Sequence, residues 1–114
     1  MRILGSIGMD KYVVKITEDA YADMECIYDG ILRLTQSKKI AMQQYDLLVE
    51  AIMSLQNFPY ATKALEIVDF EDYPLRRMVV NKYSVVLIIK GHEVIVTNVI
   101  YSSGKFMSKL LGYG

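Results

Sequence analysis

The sequence contains no tryptophan, one cysteine, one histidine and two prolines, and its thirteen basic side chains balance thirteen acidic ones. Cys26 cannot form an internal disulfide, and no Cys or His lies near it at metal-ligand spacing, so we expect it to be a buried small hydrophobe. The zero net charge removes the broad positive field that carries sequence-independent nucleic-acid binding. Any contact with a polyanion must therefore be local.

Long hydrophobic runs are also missing. No uninterrupted apolar stretch approaches the roughly 20 residues that a membrane helix requires, and residues 1–8 lack the apolar region of a signal peptide. A chain of 114 residues forms one domain with a single core. We therefore expect a cytoplasmic protein with no membrane contact, and we expect no cofactor. The acidic residues between Tyr60 and Tyr73 are interpreted as a solvated connector and not as a metal site.

The stretch from residue 75 to residue 101 predicts three consecutive antiparallel strands. Residues 75–80, 83–90 and 94–101 are rich in Val, Ile and Tyr, and the polar turn formers Asn81-Lys82 and Gly91-His92-Glu93 separate them. Residues 83–89 are apolar at nearly every position, which is typical of a central strand covered on both faces. In the last run, strict alternation predicts Val94, Val96, Asn98 and Ile100 on one face, and Ile95, Thr97, Val99 and Tyr101 on the other.

The first half of the chain predicts a strand followed by two helices. Residues 12–16 are a short β-branched run, and Thr17 can cap the helix that follows it. One apolar stripe at helical spacing comprises Ala20, Met24, Ile27, Ile31 and Leu34. After a polar break at residues 36–39, a second stripe comprises Ala41, Tyr45, Leu48, Ile52 and Leu55. Two helices joined by a short break should lie antiparallel as a hairpin.

The remaining segments complete the predicted fold. Pro59 ends the second helix, and Phe58 is expected to pack on the core at this exit. Residues 65–70 predict a short strand, and Phe106, Met107, Leu110 and Leu111 predict a short C-terminal helix. The order of elements predicts an α+β fold, in which an N-terminal strand is followed by a two-helix hairpin packed on a mainly antiparallel sheet of about four strands.

Four pieces of the sequence carry a further pattern. They are Met9-x-Lys11-Tyr12-x-Val14-x-Ile16-Thr17-x-x-Ala20-x-x-Asp23-Met24-x-x-Ile27, Ile52-x-x-Leu55-x-x-Phe58-Pro59, Arg77-x-x-Val80-x-x-Tyr83, and Val99-Ile100-Tyr101 with Phe106 and Leu110. In this order and at these separations they resemble the RelE/ParE superfamily of bacterial toxins from type II toxin-antitoxin pairs. The resemblance implies a single toxin domain over residues 9–114. Residues 1–8 are then an extension, or translation starts at Met9.

The resemblance implies one of three functions. ParE-like members arrest growth by binding DNA gyrase, whereas RelE-like members cleave mRNA on the ribosome. A third possibility is a non-toxic member that serves as a binding module. In each case the expected partner is a cognate antitoxin, whose extended or helical tail wraps the toxin, and the assembly is a homodimer or a toxin-antitoxin hetero-oligomer.

A RelE-like site would combine cations on the sheet with a Tyr or His near the C-terminus, because RNA cleavage needs proton transfer and stabilisation of phosphate charge. The candidate catalytic residues implied here are Arg77, Lys82, Tyr101 and Lys105. Ser84 stands where nuclease relatives often carry Arg, and Ser102 and Ser103 replace the basic residues usual after the last strand. Loss of one preorganised donor costs about 3 kcal/mol of transition-state stabilisation. The pattern therefore favours the ParE-like side.

Several candidate residues have two interpretations. Adjacent Arg76 and Arg77 must point to opposite faces of a strand, so at most one of them can join a given site. Tyr101 is either a general acid or an aromatic residue at the edge of the core. Lys105 either binds phosphate or flanks a helix. Three tyrosines lie on the predicted hairpin: Tyr21, Tyr28 and Tyr45. They either belong to the core or present an aromatic surface to a partner.

Overall fold

The computed structural model describes residues 2–5, 11–70 and 72–102. The elements, in chain order, are β1 (Arg2–Gly5), β2 (Val13–Ile16), α1 (Glu18–Thr35), α2 (Lys38–Ser54), a 3-10 turn (Pro59–Ala61), β3 (Lys63–Phe70), β4 (Tyr73–Val80), β5 (Tyr83–Lys90) and β6 (Glu93–Tyr101). One six-stranded sheet has the order β1-β2-β6-β5-β4-β3. Its neighbouring strands are antiparallel, except for β2 and β6, which run parallel.

The predicted α+β class, helical hairpin and mainly antiparallel sheet are confirmed. The sheet has six strands where about four were expected, because residues 2–5 pair with β2 as an additional edge strand. The expected C-terminal helix lies outside the described residues, and the division into residues 1–8 and 9–114 stays a prediction. Within the described part of the chain, neither helix is both long and apolar enough to cross a membrane.

Strand β5 is the centre of the sheet, as predicted. Its first seven residues are all buried, and it lies between β4 and β6. One face joins the helix-side core, whose strand residues include Val85, Leu87, Val94 and Val96, and whose helix residues include Met24, Leu48 and Ile52. The other face joins a second cluster, which comprises Leu65, Leu75, Val86, Ile88 and Ile95. Burial on both faces explains why nearly every residue of this strand is apolar.

Local hydrogen bonds cap the start of α1 and the turn between the two helices. The Thr17 hydroxyl accepts a hydrogen bond from the Ala20 N–H at 3.1 Å, as predicted, and also donates one to the Thr97 carbonyl at 3.0 Å. Gln36 ends α1 in the left-handed conformation at a φ of 54°, and Ser37 caps α2 by accepting from the Ile40 N–H at 3.2 Å. The break is therefore two residues long instead of the predicted four, because a Ser cap lets the helix begin at once.

Three side chains expected in the core lie at the surface. Leu34 is 84% exposed although it continues the apolar stripe of α1, and Phe58 is 71% exposed, so Phe58 does not pack on the core. The neighbouring Pro59 is buried in its place. Cys26 is exposed and not a buried hydrophobe, because its position on α1 points away from the stripe that contains Met24 and Ile27.

Strand β6 carries a β-bulge that strict alternation did not predict. Leu87 of β5 pairs with Val96, whereas the preceding Val86 pairs with Asn98, so Thr97 is an extra residue in β6. One extra residue reverses the faces of all residues that follow it. Val99 therefore joins Val94 and Val96 in the helix-side core, in the position that alternation assigned to Asn98.

The bulge is held by α1. The Asp23 carboxylate accepts a hydrogen bond from the Val99 N–H at 2.9 Å and a longer one from the Asn98 side-chain amide at 3.4 Å. The Thr17 hydroxyl binds the carbonyl of the extra residue, Thr97, at the start of the same helix. In a regular strand, the neighbouring strand would supply hydrogen-bond partners for these backbone groups. At the bulge, Thr17 and Asp23 supply them instead.

We expect Asp23→Ala to lower the free energy of unfolding by about 1–3 kcal/mol, because it removes a partly buried, charge-assisted hydrogen bond and leaves the Val99 N–H unpaired. Urea denaturation followed by circular dichroism measures the change. Asp46→Ala, an exposed carboxylate on α2, is the matched control and should unfold at the wild-type midpoint. Equal midpoints for the two variants would contradict the assigned role of Asp23.

Candidate functional site

Arg77 lies on the face of the sheet that points away from the helices. It pairs with Val86, a member of the second cluster, and paired residues on neighbouring strands share a face. Its Nε donates a hydrogen bond to the fully buried Ser84 hydroxyl at 2.8 Å, and this hydroxyl lies 2.9 Å from that of Ser102. Arg77, Ser84 and Ser102 thus form a chain of hydrogen bonds.

Arg76 points to the opposite face, as predicted for an adjacent strand residue. It pairs with Leu87 of the helix-side core. Its Nε donates to the Thr62 hydroxyl at 2.8 Å, its Nη2 donates to the Thr62 carbonyl, and its guanidinium lies 5.2 Å from the centre of the Tyr60 ring. This arginine holds the connector after α2 against β4, which is a structural role.

Tyr101 lies on the helix side of the sheet. It pairs with Tyr83 of the helix-side core, and the two ring centroids are 5.1 Å apart. Strict alternation placed Tyr101 on the face opposite Val94 and Val96, but the extra residue Thr97 reverses that assignment. Tyr101 and Arg77 are therefore on opposite faces.

A groove lies between the turn of the hairpin and the end of the sheet, and we call it the tip groove. It has a volume of about 770 Å³, and its lining includes Ile31, Leu34, Ile40, Lys82, Tyr83 and Tyr101. Three of these apolar or aromatic side chains are strongly exposed: Leu34 at 84%, Tyr101 at 50% and Ile40 at 42%. A concave surface with exposed apolar side chains is typical of a binding site for an apolar segment.

The structure thus divides the four predicted site residues. Lys82 and Tyr101 both line the tip groove, Arg77 lies on the other face of the sheet, and Lys105 falls outside the described residues. The helical spacing of Leu34 and Ile40 did not indicate that they are surface residues. Their positions on either side of the two-residue interhelical turn were the available signal, because a turn usually lies at the surface of a protein.

The groups in the tip groove favour binding over catalysis. Cleavage of RNA needs an acid, a base and cations directed at one phosphate. Among residues 11–70 and 72–102, Lys82 is the cation in the groove lining beside Tyr101. In the same ranges, no three Asp, Glu, His or Cys side chains are grouped so that they could hold a metal ion.

The Tyr83 phenol is a weaker acid than an ordinary tyrosine. Burial, together with the hydrogen bond to Tyr101 and the charge of Tyr101, raises the pKa of Tyr83 from 10.0 to about 12. The unfolded chain ionises this phenol at its ordinary pKa, so the folded state binds the proton more tightly between pH 10 and 12. The stabilisation is fully present below pH 10 and is lost as the pH rises to 12.

We expect an alkaline absorbance titration of the nine tyrosines to show a late phenolate step near pH 12 that is absent in Tyr83→Phe. Tyr101→Phe should move the late step to lower pH, because it removes the hydrogen-bonding hydroxyl while burial remains. Tyr73→Phe, on the second cluster, is the control and should keep the late step. Persistence of that step in Tyr83→Phe would refute the assignment.

Comparisons with known proteins show that the chain shares its fold with a protein of known structure. No protein-family model matches the chain, and no curated protein sequence matches it. A chain of the solved structure titled "Chromosomal ParDE TA system from P. aeruginosa" is similar, with a TM-score of 0.65 and 21% sequence identity, over 77% of this chain and 92% of that chain. At this identity the similarity establishes the fold. The α+β fold predicted from the sequence is confirmed, and the chain shares it with a chain of that ParDE structure.

Proposed function

We propose that this protein is the toxin component of a type II toxin-antitoxin pair, of the ParE-like kind. It acts in the cytoplasm as a single domain over residues 9–114, with residues 1–8 as an extension. It arrests growth by binding a bacterial target, for which DNA gyrase is the leading candidate, and a cognate antitoxin neutralises it in a hetero-oligomer. The observation that carries the proposal is the fold shared with a ParDE system over 92% of the matched chain.

The placement of the cations supports a binding mode of action. Arg77 is held by Ser84 on the far face, and Arg76 is engaged by Thr62. Neither guanidinium is directed towards Tyr101 in the tip groove. A protein that acts by binding needs no such convergence, whereas a nuclease loses roughly a hundredfold or more in rate for each missing preorganised donor.

The second candidate is a RelE-like endoribonuclease that uses Arg77, Lys82, Tyr101 and Lys105. The presence of Lys82 and Tyr101 in the lining of one groove favours it, because an ammonium group and a phenol that reach the same phosphate can stabilise its charge and transfer a proton. In this case the target is mRNA on the ribosome. A non-toxic member that only binds its antitoxin is the third candidate.

Expression of this protein without its partner gene should arrest growth, and co-expression with the adjacent small reading frame should restore it. The purified protein should inhibit DNA supercoiling by gyrase in proportion to its concentration, because the proposed mode of action is stoichiometric binding. Toxicity with unaffected gyrase and with cut transcripts would contradict the proposal.

The endoribonuclease candidate has its own test. If transcripts are cut, Arg77→Ala and Tyr101→Phe should each abolish ribosomal mRNA cleavage, and unchanged cleavage in both would exclude these residues. Absence of growth arrest on induction would favour the non-toxic binding module.

The tip groove is the proposed docking place for an apolar segment of the antitoxin. Leu34 and Ile40 flank the helical turn and offer exposed apolar area, and Lys82 stands at the rim, where it can meet a carboxylate. Burial of apolar surface contributes about 25 cal/mol per Å², so two such side chains and an aromatic ring form an adequate anchor.

Leu34→Glu should weaken antitoxin binding by at least about tenfold, because it places a charge where an apolar contact is expected. Leu34 is 84% exposed, so the fold should be preserved. The matched control is Leu47→Glu, which makes the same change at an exposed leucine of α2 outside the groove and should bind normally. Calorimetric titration with the purified antitoxin measures both. Equal affinities in the two variants would exclude the tip groove as the docking place.

A further inference from the structure

A second concavity lies along the helical hairpin, and none of the functions proposed above uses it. We call it the interhelical pocket. It has a volume of about 340 Å³ and is lined by Tyr21, Glu25, Tyr28, Asp29, Met42 and Tyr45. All six residues belong to α1 and α2. This lining combines three aromatic rings with two carboxylates and contains no basic side chain.

The aromatic walls of the pocket are held in place. Tyr21 and Tyr45 pack against the helix-side core while remaining partly exposed. The Tyr28 and Tyr45 rings meet edge to face, with centroids 6.1 Å apart and planes at 89°. The face of a tyrosine ring carries negative charge from its π electrons and attracts cations within about 6 Å of the ring centre. Edge-to-face packing is a favoured geometry of aromatic pairs, and it fixes the orientation of two of the three rings that line the pocket.

The carboxylates add negative charge to the same pocket. Glu25 and Asp29 are exposed and lie four residues apart on α1, so their Cβ atoms are about 5–6 Å from each other. Like charges at this spacing destabilise a helix by a few tenths of a kcal/mol when no cation neutralises them. A bound cation removes this repulsion, whereas phosphate would be repelled.

We propose that the interhelical pocket binds the guanidinium group of an arginine side chain presented by a partner protein. A guanidinium is planar and can stack on a tyrosine ring while its N–H groups reach two carboxylates, whereas an ammonium group is a compact point charge with stronger hydration. The pocket is at the small end of the range for ligand sites, which suits a single side chain. The inference does not depend on the proposed toxin function, because it rests on the lining of this pocket.

The probe for the experiment is N-acetyl-arginine amide, titrated into the full-length ¹⁵N-labelled protein at low ionic strength and followed by NMR. We expect shift changes confined to the amides of the pocket residues on α1 and α2. The dissociation constant should be on the order of 1 mM, as is usual for a ligand of this size. N-acetyl-citrulline amide has the same shape without the charge and should bind at least about tenfold more weakly. N-acetyl-lysine amide should bind more weakly than the arginine probe.

Two pairs of substitutions test the carboxylates. Glu25→Gln combined with Asp29→Asn should weaken binding by about tenfold, since each exposed ion pair contributes a modest factor. Asp46→Asn combined with Glu50→Gln is the matched control. These two exposed carboxylates are also four residues apart, on α2, and the shallow depression beside them is lined by Gln43, Gln44 and Leu47 instead of tyrosines. The control pair should leave the affinity unchanged.

Tyr28 tests the aromatic wall. Tyr28→Phe keeps the ring face and should retain the affinity, whereas Tyr28→Leu should weaken binding by about threefold. Circular dichroism confirms that each variant is folded. Equal binding of the arginine and citrulline probes, equal binding of arginine and lysine probes, or equal loss in both carboxylate pairs would each overturn the proposal. Absence of shift changes at 20-fold excess over about 1 mM would do the same.

Discussion

The hydrogen bond from the Val99 N–H to the Asp23 carboxylate is the contact on which the arrangement of the candidate site depends. It lies where β6 contains one residue more than its neighbour β5, and it fastens that irregularity to the first helix. The Thr17 hydroxyl makes a second connection to the carbonyl of the extra residue. Because side chains alternate along a strand, the extra residue decides which face every later side chain of β6 occupies.

The consequence reaches the end of the strand. Tyr101 faces the helices and contacts Tyr83, whereas Arg77 faces away from the helices and is bound by Ser84. A regular strand would have placed Tyr101 and Arg77 on one face, where a cation and a phenol could act together. The bulge therefore separates two groups that a nuclease would need to combine, and it gives the tip groove an aromatic side wall. The chemistry available at this end of the molecule is that of apolar association.

The helical hairpin offers two surfaces of different character. The tip groove is apolar and aromatic, with Lys82 at its rim, while the interhelical pocket is aromatic and acidic. Apolar area supplies most of the binding energy at protein interfaces, and charged groups mainly supply specificity and orientation. A hairpin that carries both kinds of surface can engage partners of two different chemistries. The neutral overall charge is compatible with local recognition, because neither surface depends on a long-range field.

The sequence by itself determined the elements whose causes are local. Thr17 caps α1, the polar pairs at residues 81–82 and 91–92 turn the meander, and the continuous apolar run of β5 requires burial on both faces. It also determined that Arg76 and Arg77 point to opposite faces, because alternation over two adjacent residues is a property of any strand. The family resemblance was readable for the same reason, since its pieces are caps, turns and core positions.

Only the tertiary structure decided the site. The bulge at Thr97 depends on partners in α1 that are more than 70 residues distant in sequence, so alternation within β6 could not reveal it. The exposure of Leu34 depends on what packs against the end of the hairpin, although its spacing in the helix is that of a core residue. Periodicity reports which side chains share a face of their own element. Long-range packing decides which other element covers that face and how much of its length is covered.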